Sequence, residues 1–350
     1  MTMPETSVPI DLALQGGGSH GAFTWGVLDG VFDDPGLTVT SLSGTSAGAM
    51  NAVVAAHGFQ EAGPRGAKAA LEKFWNAVSE AARFSPIRRT AFDKLAGNWS
   101  LDRSPGYLFY DLFSRLFSPY EFNPANLNPL RDILEASVDF KRLRDCPMKL
   151  FINATNVRTG LPRIFRNAEL SADVVLASAC LPLMHQAVEI DGEAYWDGGF
   201  SGNPLLTPVI HESTAKDIVL VQINPIERPQ VPRTAREILD RVNEISFNSS
   251  LKKELRGIAI LRKMLAAGNV QVDAPWFEQW SQTRLHRISS TKLTDLGSSS
   301  KLNAEWDFLL MLREEGQRAA AAFLAEHRGD LGQRSTLDID TLLDTFLEQT

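Results

Sequence analysis

Residues 9–14 form a short apolar run that stops at Gln15 and three glycines, which predicts a buried strand entering a tight turn. Over 19–32 the period changes. Phe23, Val27 and Val31 recur at the four-residue spacing of a helix. Residues 37–42 are rich in β-branched side chains and predict a second strand, and the small apolar residues of 47–57 predict a buried helix. Strand, helix, strand, helix in that order points to an α/β fold with a largely parallel sheet. The stretch 62–145 reads as mostly helical, punctuated by Pro86, Pro105, Pro119, Pro124 and Pro129. Sheet elements resume at 148–155 and 161–166, and a helix follows over 171–179. Two short strands, 187–190 and 193–196, flank Asp191-Gly192, a pair suited to a hairpin turn. A last buried strand is expected at 218–223.

The character changes after Pro232. Thr234 and Glu237 make a capping box, with Ile238, Val242 and Ile245 following at helical spacing. A further helix is expected over 303–327. The organisation predicted is an α/β domain over 8–230, carrying 62–145 as a helical insertion, and then a helical C-terminal extension over 231–350. Neither repeats nor low-complexity segments interrupt it.

Composition narrows the classes. The chain has 350 residues, 44% of them apolar and 22% charged, enough for a sizeable core. A formal charge of −7 argues against a nucleic-acid partner, because phosphate affinity comes from clustered Lys and Arg. Cys146 and Cys180 are too few for a disulfide framework and suit a reducing compartment. The first residues lack the basic and apolar regions of a signal peptide, and no apolar run reaches the roughly 18 residues that span a bilayer. The expectation is a cytoplasmic protein whose contact with a membrane is at most peripheral. The acidic residues form no EF-hand-type calcium loop, so neither metal nor cofactor is expected.

The candidate chemistry begins at Gly44-Thr45-Ser46-Ala47-Gly48. A Gly-x-Ser-x-Gly motif between a strand and a helix is a nucleophile elbow: the serine sits on a strained turn where the flanking glycines avoid clashes. It also places Ser46 at a helix N-terminus, where the dipole and unpaired N–H groups favour an oxyanion. A serine N-cap accounts for the serine but not for both glycines.

Gly16-Gly17-Gly18-Ser19-His20-Gly21 has three competing readings. A dinucleotide loop needs an acidic residue at the end of the second strand, and that strand runs into the elbow instead. A phosphate-binding P-loop needs Lys and then Ser or Thr, where Ala22 and Phe23 stand. An oxyanion hole fits best. Its donors would be N–H groups of Gly16, Gly17 and Gly18 together with that of Ala47.

A hydrolytic serine needs a base. Of the six histidines, His57 ends the elbow helix, His211 reads as a surface helix residue, and His286 and His327 lie in the extension. None, His20 and His185 included, has the setting of a base. Asp197, in Trp196-Asp197-Gly198-Gly199, ends a strand at a glycine turn, which suits either a positioned carboxylate or an Asx turn.

Together these residues resemble the patatin-like phospholipase family. The points of resemblance are the Gly16–Gly21 loop, the Gly44–Gly48 elbow, Asp197-Gly198-Gly199 followed by Asn203-Pro204, and Ala177-Ser178 with Pro182, over about 8–225. The resemblance implies a three-layer α/β/α sandwich, a Ser46–Asp197 dyad in place of a triad, and hydrolysis of acyl esters of lipids. It also implies that Gly21, Gly44, Gly48, Gly198 and Gly199 support the motifs. One departure stands out: the family carries Arg or Lys in the glycine loop where this chain has His20. His20 either titrates near neutral pH and modulates activity, or is a hydrogen-bonded structural residue.

Two further segments have double readings. Residues 107–117 are the most aromatic stretch, either a lid or interfacial helix that admits lipid or a helix packed in the core. Residues 233–263 carry eight basic and four acidic residues, which suits a membrane- or partner-facing helix or a solvated face. The competing functions are hydrolysis of another acyl substrate, such as a thioester or a storage polyester, and lipid binding with little turnover.

Overall fold

The computed structural model describes residues 7–267 and 275–341. The first strand, β1 (Val8–Leu14), is followed by the 3-10 turn Gly18–His20, α1 (Gly21–Phe32), β2 (Leu37–Gly44) and α2 (Ala47–Ala81). The small apolar run after the elbow is thus helical, and it continues well past His57. At Ala62 and Gly63 the backbone leaves helical geometry, with Gly63 at φ 62° and Pro64 next, so α2 is two helices meeting at a kink. The insertion is helical as expected: α3 (Ala91–Leu95), α4 (Pro105–Leu116), α5 (Pro119–Phe122), α6 (Pro129–Ser137) and α7 (Phe140–Leu143). Three of these helices carry proline at the first turn (Pro105, Pro119, Pro129), where its missing N–H costs nothing. Then come β3 (Lys149–Asn156), β4 (Pro162–Arg166), α8 (Ala172–Ser178), β5 (Val188–Ile190), β6 (Glu193–Asp197), α9 (Thr207–Glu212) and β7 (Asp217–Val221). The β5–β6 hairpin turns at Asp191 and Gly192, both with positive φ.

The C-terminal region is mostly helical but adds one strand that its sequence does not announce. It contains α10 (Ala235–Ala266), with the Thr234–Glu237 capping box formed, then α11 (Pro275–Gln282) and α12 (Trp306–His327), but also a strand, β8 (Arg284–Ile288). That strand pairs in parallel with β7 and completes the sheet. Three basic residues in five obscure its alternation. His286 is nevertheless fully buried, because its imidazole bonds the Asp217 carboxylate at 3.0 Å and the Thr336 hydroxyl at 3.0 Å.

The sheet order is β5-β6-β3-β2-β1-β7-β8, with β4 on the other edge of β3. The strands from β3 through β2, β1 and β7 to β8 run parallel, while β4, β5 and β6 pair antiparallel. Alternate residues of the central strands serve two cores. Leu12 and Leu14 of β1, with Val219 and Val221 of β7, pack under α1, α2 and α12. Ala13, Ile218 and Leu220 point the other way, against Val209 and Ile210 of α9 and Leu251, Leu255 and Ile258 of α10. A parallel sheet buried on both faces between helices is a three-layer α/β/α sandwich.

This topology fixes a meeting point. One edge of β3 is taken by β4, so β2 and β6 share the opposite edge. β2 stops with Gly44 opposite Ile152, and β6 arrives from the other direction with Asp197 opposite Ala154. The residues following β2 and ending β6 therefore converge at the carboxyl end of the parallel strands, where α/β sheets bind ligands.

Candidate active site

Ser46 caps the N-terminus of α2 with φ 55° and ψ −121°, a positive φ that a non-glycine residue adopts at a cost of about 1–3 kcal/mol. Several bonds hold it there. The Ser46 N–H donates to Ser178 Oγ at 2.9 Å, the Thr45 hydroxyl to the Gly202 carbonyl at 2.9 Å, and the Thr45 N–H to the Leu14 carbonyl at 3.3 Å. The flanking glycines are needed for contact: a side chain on Gly48 would strike the Leu14 and Gln15 carbonyls, and one on Gly44 the backbone of Gly48.

Asp197 is buried at the far end of β6. Its Oδ1 accepts from the Gly199 N–H at 2.7 Å, closing the Asx turn, and the Ser46 hydroxyl lies close enough to draw the carboxyl's pKa down. Asn153 of β3 anchors the turn, its Nδ2 donating to the Gly198 and Gly202 carbonyls at 2.8 Å each. Burial pushes the Asp197 carboxyl up from its ordinary 3.8 to about 6, against the Gly199 N–H, the Ser46 hydroxyl and the Lys301 charge, which pull it down.

The glycine loop faces the elbow. A Cβ on Gly16 would fall 2.6 Å from Ser46 Cβ, so only glycine lets the two turns approach this closely. Gly16 does not belong with the oxyanion donors, because its N–H is committed to Asn203 Oδ1 at 2.6 Å. Gly17 and Gly18 open the 3-10 turn and Ala47 opens α2, so their N–H groups have no acceptor within their own helices. Gly21 lies against Ala47 Cβ, and the Asn51 side chain joins the two segments by donating to the Gly21 and Ala47 carbonyls at 2.9 and 3.0 Å. Trp75 Nε1 in turn holds Asn51 Oδ1 at 3.0 Å.

His20 is a structural residue. It is buried, its Nε2 lies 2.8 Å from Ser300 Oγ, and burial, with the charges of Lys301 and Arg228, takes its pKa from 6.5 down to about 3. It stays neutral across the range in which it was expected to titrate. Among the described residues no histidine hydrogen-bonds Ser46 or Asp197. His57 faces Glu61, His286 serves the β7–β8 seam, His327 meets Asp330, and His211 accepts from Trp280. His185, in the turn after α8, is held neutral by burial. Cys180, beside Asp197, is inert, its thiol pushed up to about 12 by burial and the Asp197 charge.

Several residues of this arrangement carry no mark in the sequence. Gln15 Oε1 accepts from the N–H groups of Ile223 and Asn224 at 2.9 Å each, and Asn224 Nδ2 donates to the Gly16 carbonyl at 2.7 Å. These isolated amides follow apolar strands, and a sidedness argument about strand ends is the one signal that finds them. Lys301 and Ser300 lie in the C-terminal region, and nothing in their local pattern announces them. The described residues hold no cluster of His, Cys, Asp and Glu fit for a metal ion.

The aromatic segment 107–117 falls on α4 and is not core. Leu108, Phe109, Leu112, Leu116 and Phe117 are all exposed, and only Ser114 of the helix is buried. The basic stretch 233–263 falls on α10, whose second half packs Leu251, Leu255 and Ile258 on the sheet, so it is not a wholly solvated face.

The family model for patatin-like phospholipases matches residues 12–210. No curated protein matches the chain. Among solved structures, VipD from Legionella pneumophila aligns over 90% of this chain and 68% of its own, at 16% identity and a TM-score of 0.36. Since the family match spans more than half of the chain and takes in both glycine motifs and Asp197, the protein belongs to the patatin-like phospholipase family, which places it among lipid acyl hydrolases.

Proposed function

We propose that the protein hydrolyses carboxylic esters of lipids, in the manner of a phospholipase A or esterase, through a Ser46–Asp197 dyad. The observation that carries the reading is the meeting of the Ser46 turn after β2 and the buried Asp197 carboxylate ending β6 on one edge of β3, with burial holding that carboxyl near 6, where a general base works best at neutral pH. Ser46 Oγ attacks the ester carbonyl as Asp197 accepts its proton, and the N–H groups of Gly17, Gly18 and Ala47 hold the oxyanion, each contributing roughly 3 kcal/mol. The proton then goes to the departing alkoxide, leaving an acyl-enzyme. Water, deprotonated by Asp197, cleaves it and returns the proton to Ser46.

Lipid access is supported by exposed apolar side chains on neighbouring elements. α4 exposes Leu108, Phe109, Leu112 and Leu116, and Arg236 of α10 ties its start by pairing with Asp102 and lying 5.6 Å over the Tyr107 ring. α10 exposes Ile238, Val242 and Ile245 on one side and brings Phe247 to 5.2 Å from Phe200, beside the Asp197 turn. Exposed Phe84, Phe92 and Leu95 extend the surface among the exposed cations Arg88, Lys94 and Arg103. Apolar and basic groups together suit peripheral docking on an anionic lipid surface. The described helices include none long and apolar enough to cross a membrane. Both cysteines are free, in keeping with action in a reducing compartment.

The test is labelling with a fluorophosphonate and mass spectrometry of products from a mixed phospholipid extract. Wild type is expected to be labelled and to release fatty acid, and Ser46→Ala to do neither while melting at the wild-type temperature. Release of fatty acid by Ser46→Ala, or by Asp197→Asn at the wild-type rate, would overturn the dyad. A strong preference for acyl-thioesters over phospholipids would move the substrate class.

A further inference from the structure

The 3-10 turn Ser298–Leu302 lies against the glycine loop, nearly the whole chain away in sequence. Ser300 Oγ donates to the Gly297 carbonyl at 2.7 Å, so its bond with His20 must be accepted from Nε2–H, which fixes the imidazole tautomer. The Lys301 carbonyl stands where a side chain on Gly18 would lie, and Gly18 has φ 58°, so loop and turn fit only with glycine there. Lys301 Nζ donates to Asn224 Oδ1 at 2.7 Å, and the same amide donates to the Gly16 carbonyl at 2.7 Å. The ammonium is thus one side chain removed from the loop that faces Ser46. Its charge also reaches Asp197, where it opposes the upward push of burial.

We propose that Lys301 is a positioning residue of the Ser46 site, holding the glycine loop through Asn224 and setting a positive charge beside the oxyanion and the base. The proposal rests on the dyad reading above. Around the ammonium stand His20 of the loop, Asp197 at the end of β6, Asp240 and Glu244 on α10, and Arg228 after β7. His20 stays neutral. Burial, with Arg228, draws the Lys301 ammonium below its ordinary 10.5, against Glu244 and Asp240 of α10 and Asp197, which favour its charge. The glycine loop itself carries no cation, so a residue from beyond the family match at 12–210 supplies the positive field.

The two contributions separate by substitution. Lys301→Gln keeps a neutral donor for Asn224 and removes the charge, Lys301→Arg keeps the charge, and Lys301→Met removes both. Each is assayed on a soluble short-chain aryl ester across pH, with melting temperature as the check on folding. Lys301→Gln is expected to lower kcat about tenfold at little change in KM, a loss specific to the transition state. Its activity should also fall off at higher pH on the acid side than that of wild type, because Asp197 loses a neighbouring positive charge and holds its proton more tightly. Lys301→Arg should keep the wild-type pH profile. An unmoved acid limb in Lys301→Gln, or the same displacement in Lys301→Arg, would overturn the proposal. Should Lys301→Met fail to fold, the Gln and Arg pair still decides. Wild-type labelling by a fluorophosphonate at Ser46 separates the two readings: without it the dyad fails, and with it an unmoved limb sinks Lys301 alone.

Discussion

Asp197 combines two requirements that oppose each other. Removing it from water raises its pKa to about 6, the range that suits the base proposed above, and the same desolvation makes its ionised form a burden on the fold. The folded-state pKa lies above the unfolded value of 3.8, so the folded chain binds the proton more tightly, and stability falls as pH rises through the window from 3.8 to about 6. Above that window the penalty is roughly 3 kcal/mol. Asp197→Asn keeps an acceptor for the Gly199 N–H and carries no charge. It is expected to melt several degrees higher than wild type at about pH 8, the gap closing near pH 4, while its ester hydrolysis is lost. Equal melting temperatures across that range would show that Asp197 is not ionised at a cost. For wild type, kcat/KM should fall below a pH of about 6 as the base takes up its proton, with no second inflection from His20, whose pKa is near 3. Ser46 and Asp197 stand out in the sequence because glycines flank both, beside a strained turn at Ser46 and where a side chain on Gly198 would strike the Asn153 carbonyl. The sequence left the fate of His20 open, because an imidazole's titration depends on burial by Ser300 and Lys301, which come from the other end of the chain.

Elements show the same division between local and distant causes. β1, β2, α1 and the hairpin at Asp191-Gly192 were legible from periodicity and turn chemistry, which are local properties. β8 was not: Arg284 and His286 look like surface residues until Asp217 of β7 is set beside them. There, although burial alone would raise the Asp217 carboxyl, His286, Arg284 and the Gly332 N–H hold it well below the usual carboxylate range. α4 is the opposite case, an aromatic run with two readings that its surroundings decide. Phe113 stacks between Phe109 and Phe117 at centroid distances of 5.6 and 4.5 Å, yet the outer face bearing Phe109, Leu112 and Leu116 meets no core. Charged substitution there removes little packing, so Phe109→Asp combined with Leu116→Asp should leave the melting temperature within about 1 °C of wild type. Binding to anionic phospholipid vesicles should weaken by about tenfold or more, with hydrolysis of a soluble short-chain ester unchanged. Cosedimentation and the ester assay measure the two arms. Undiminished vesicle binding would remove α4 from the docking surface, and a collapse in melting temperature would return it to the core.

At the scale of the whole molecule, the region after 230 is built into the fold rather than appended to it. β8 covers the edge of β7 through a parallel ladder from Asp217 to Val221. α12 crosses α1 so closely that side chains on Gly26 and Gly316 would strike the backbone of the opposite helix, and Phe308, Leu309 and Leu312 belong to the main core. Glu254 of α10 caps α9, its carboxylate accepting from the Leu206 and Thr207 N–H groups at 2.9 and 3.1 Å. Residues 298–303 meanwhile join the glycine loop to the insertion: Ser300 meets His20, Ser299 Oγ accepts from the Leu101 N–H at 3.1 Å, and Asn303 Nδ2 donates to the Trp99 carbonyl at 3.1 Å. A chain cut after residue 230 would expose a strand edge, the apolar face of α1 and an uncapped helix at once. It is therefore expected to aggregate or to bind the dye ANS without a cooperative melt, and to resist labelling by a fluorophosphonate although Ser46 and Asp197 are both present. A monomeric, cooperatively melting 1–230 fragment that labels at the wild-type rate would restore the boundary that composition suggests, and would remove the C-terminal region from the site. The contrast with the family match is informative. The matched span carries both glycine motifs and Asp197, but β7, β8, α10, α12 and the Lys301 side chain beside the glycine loop come from outside it.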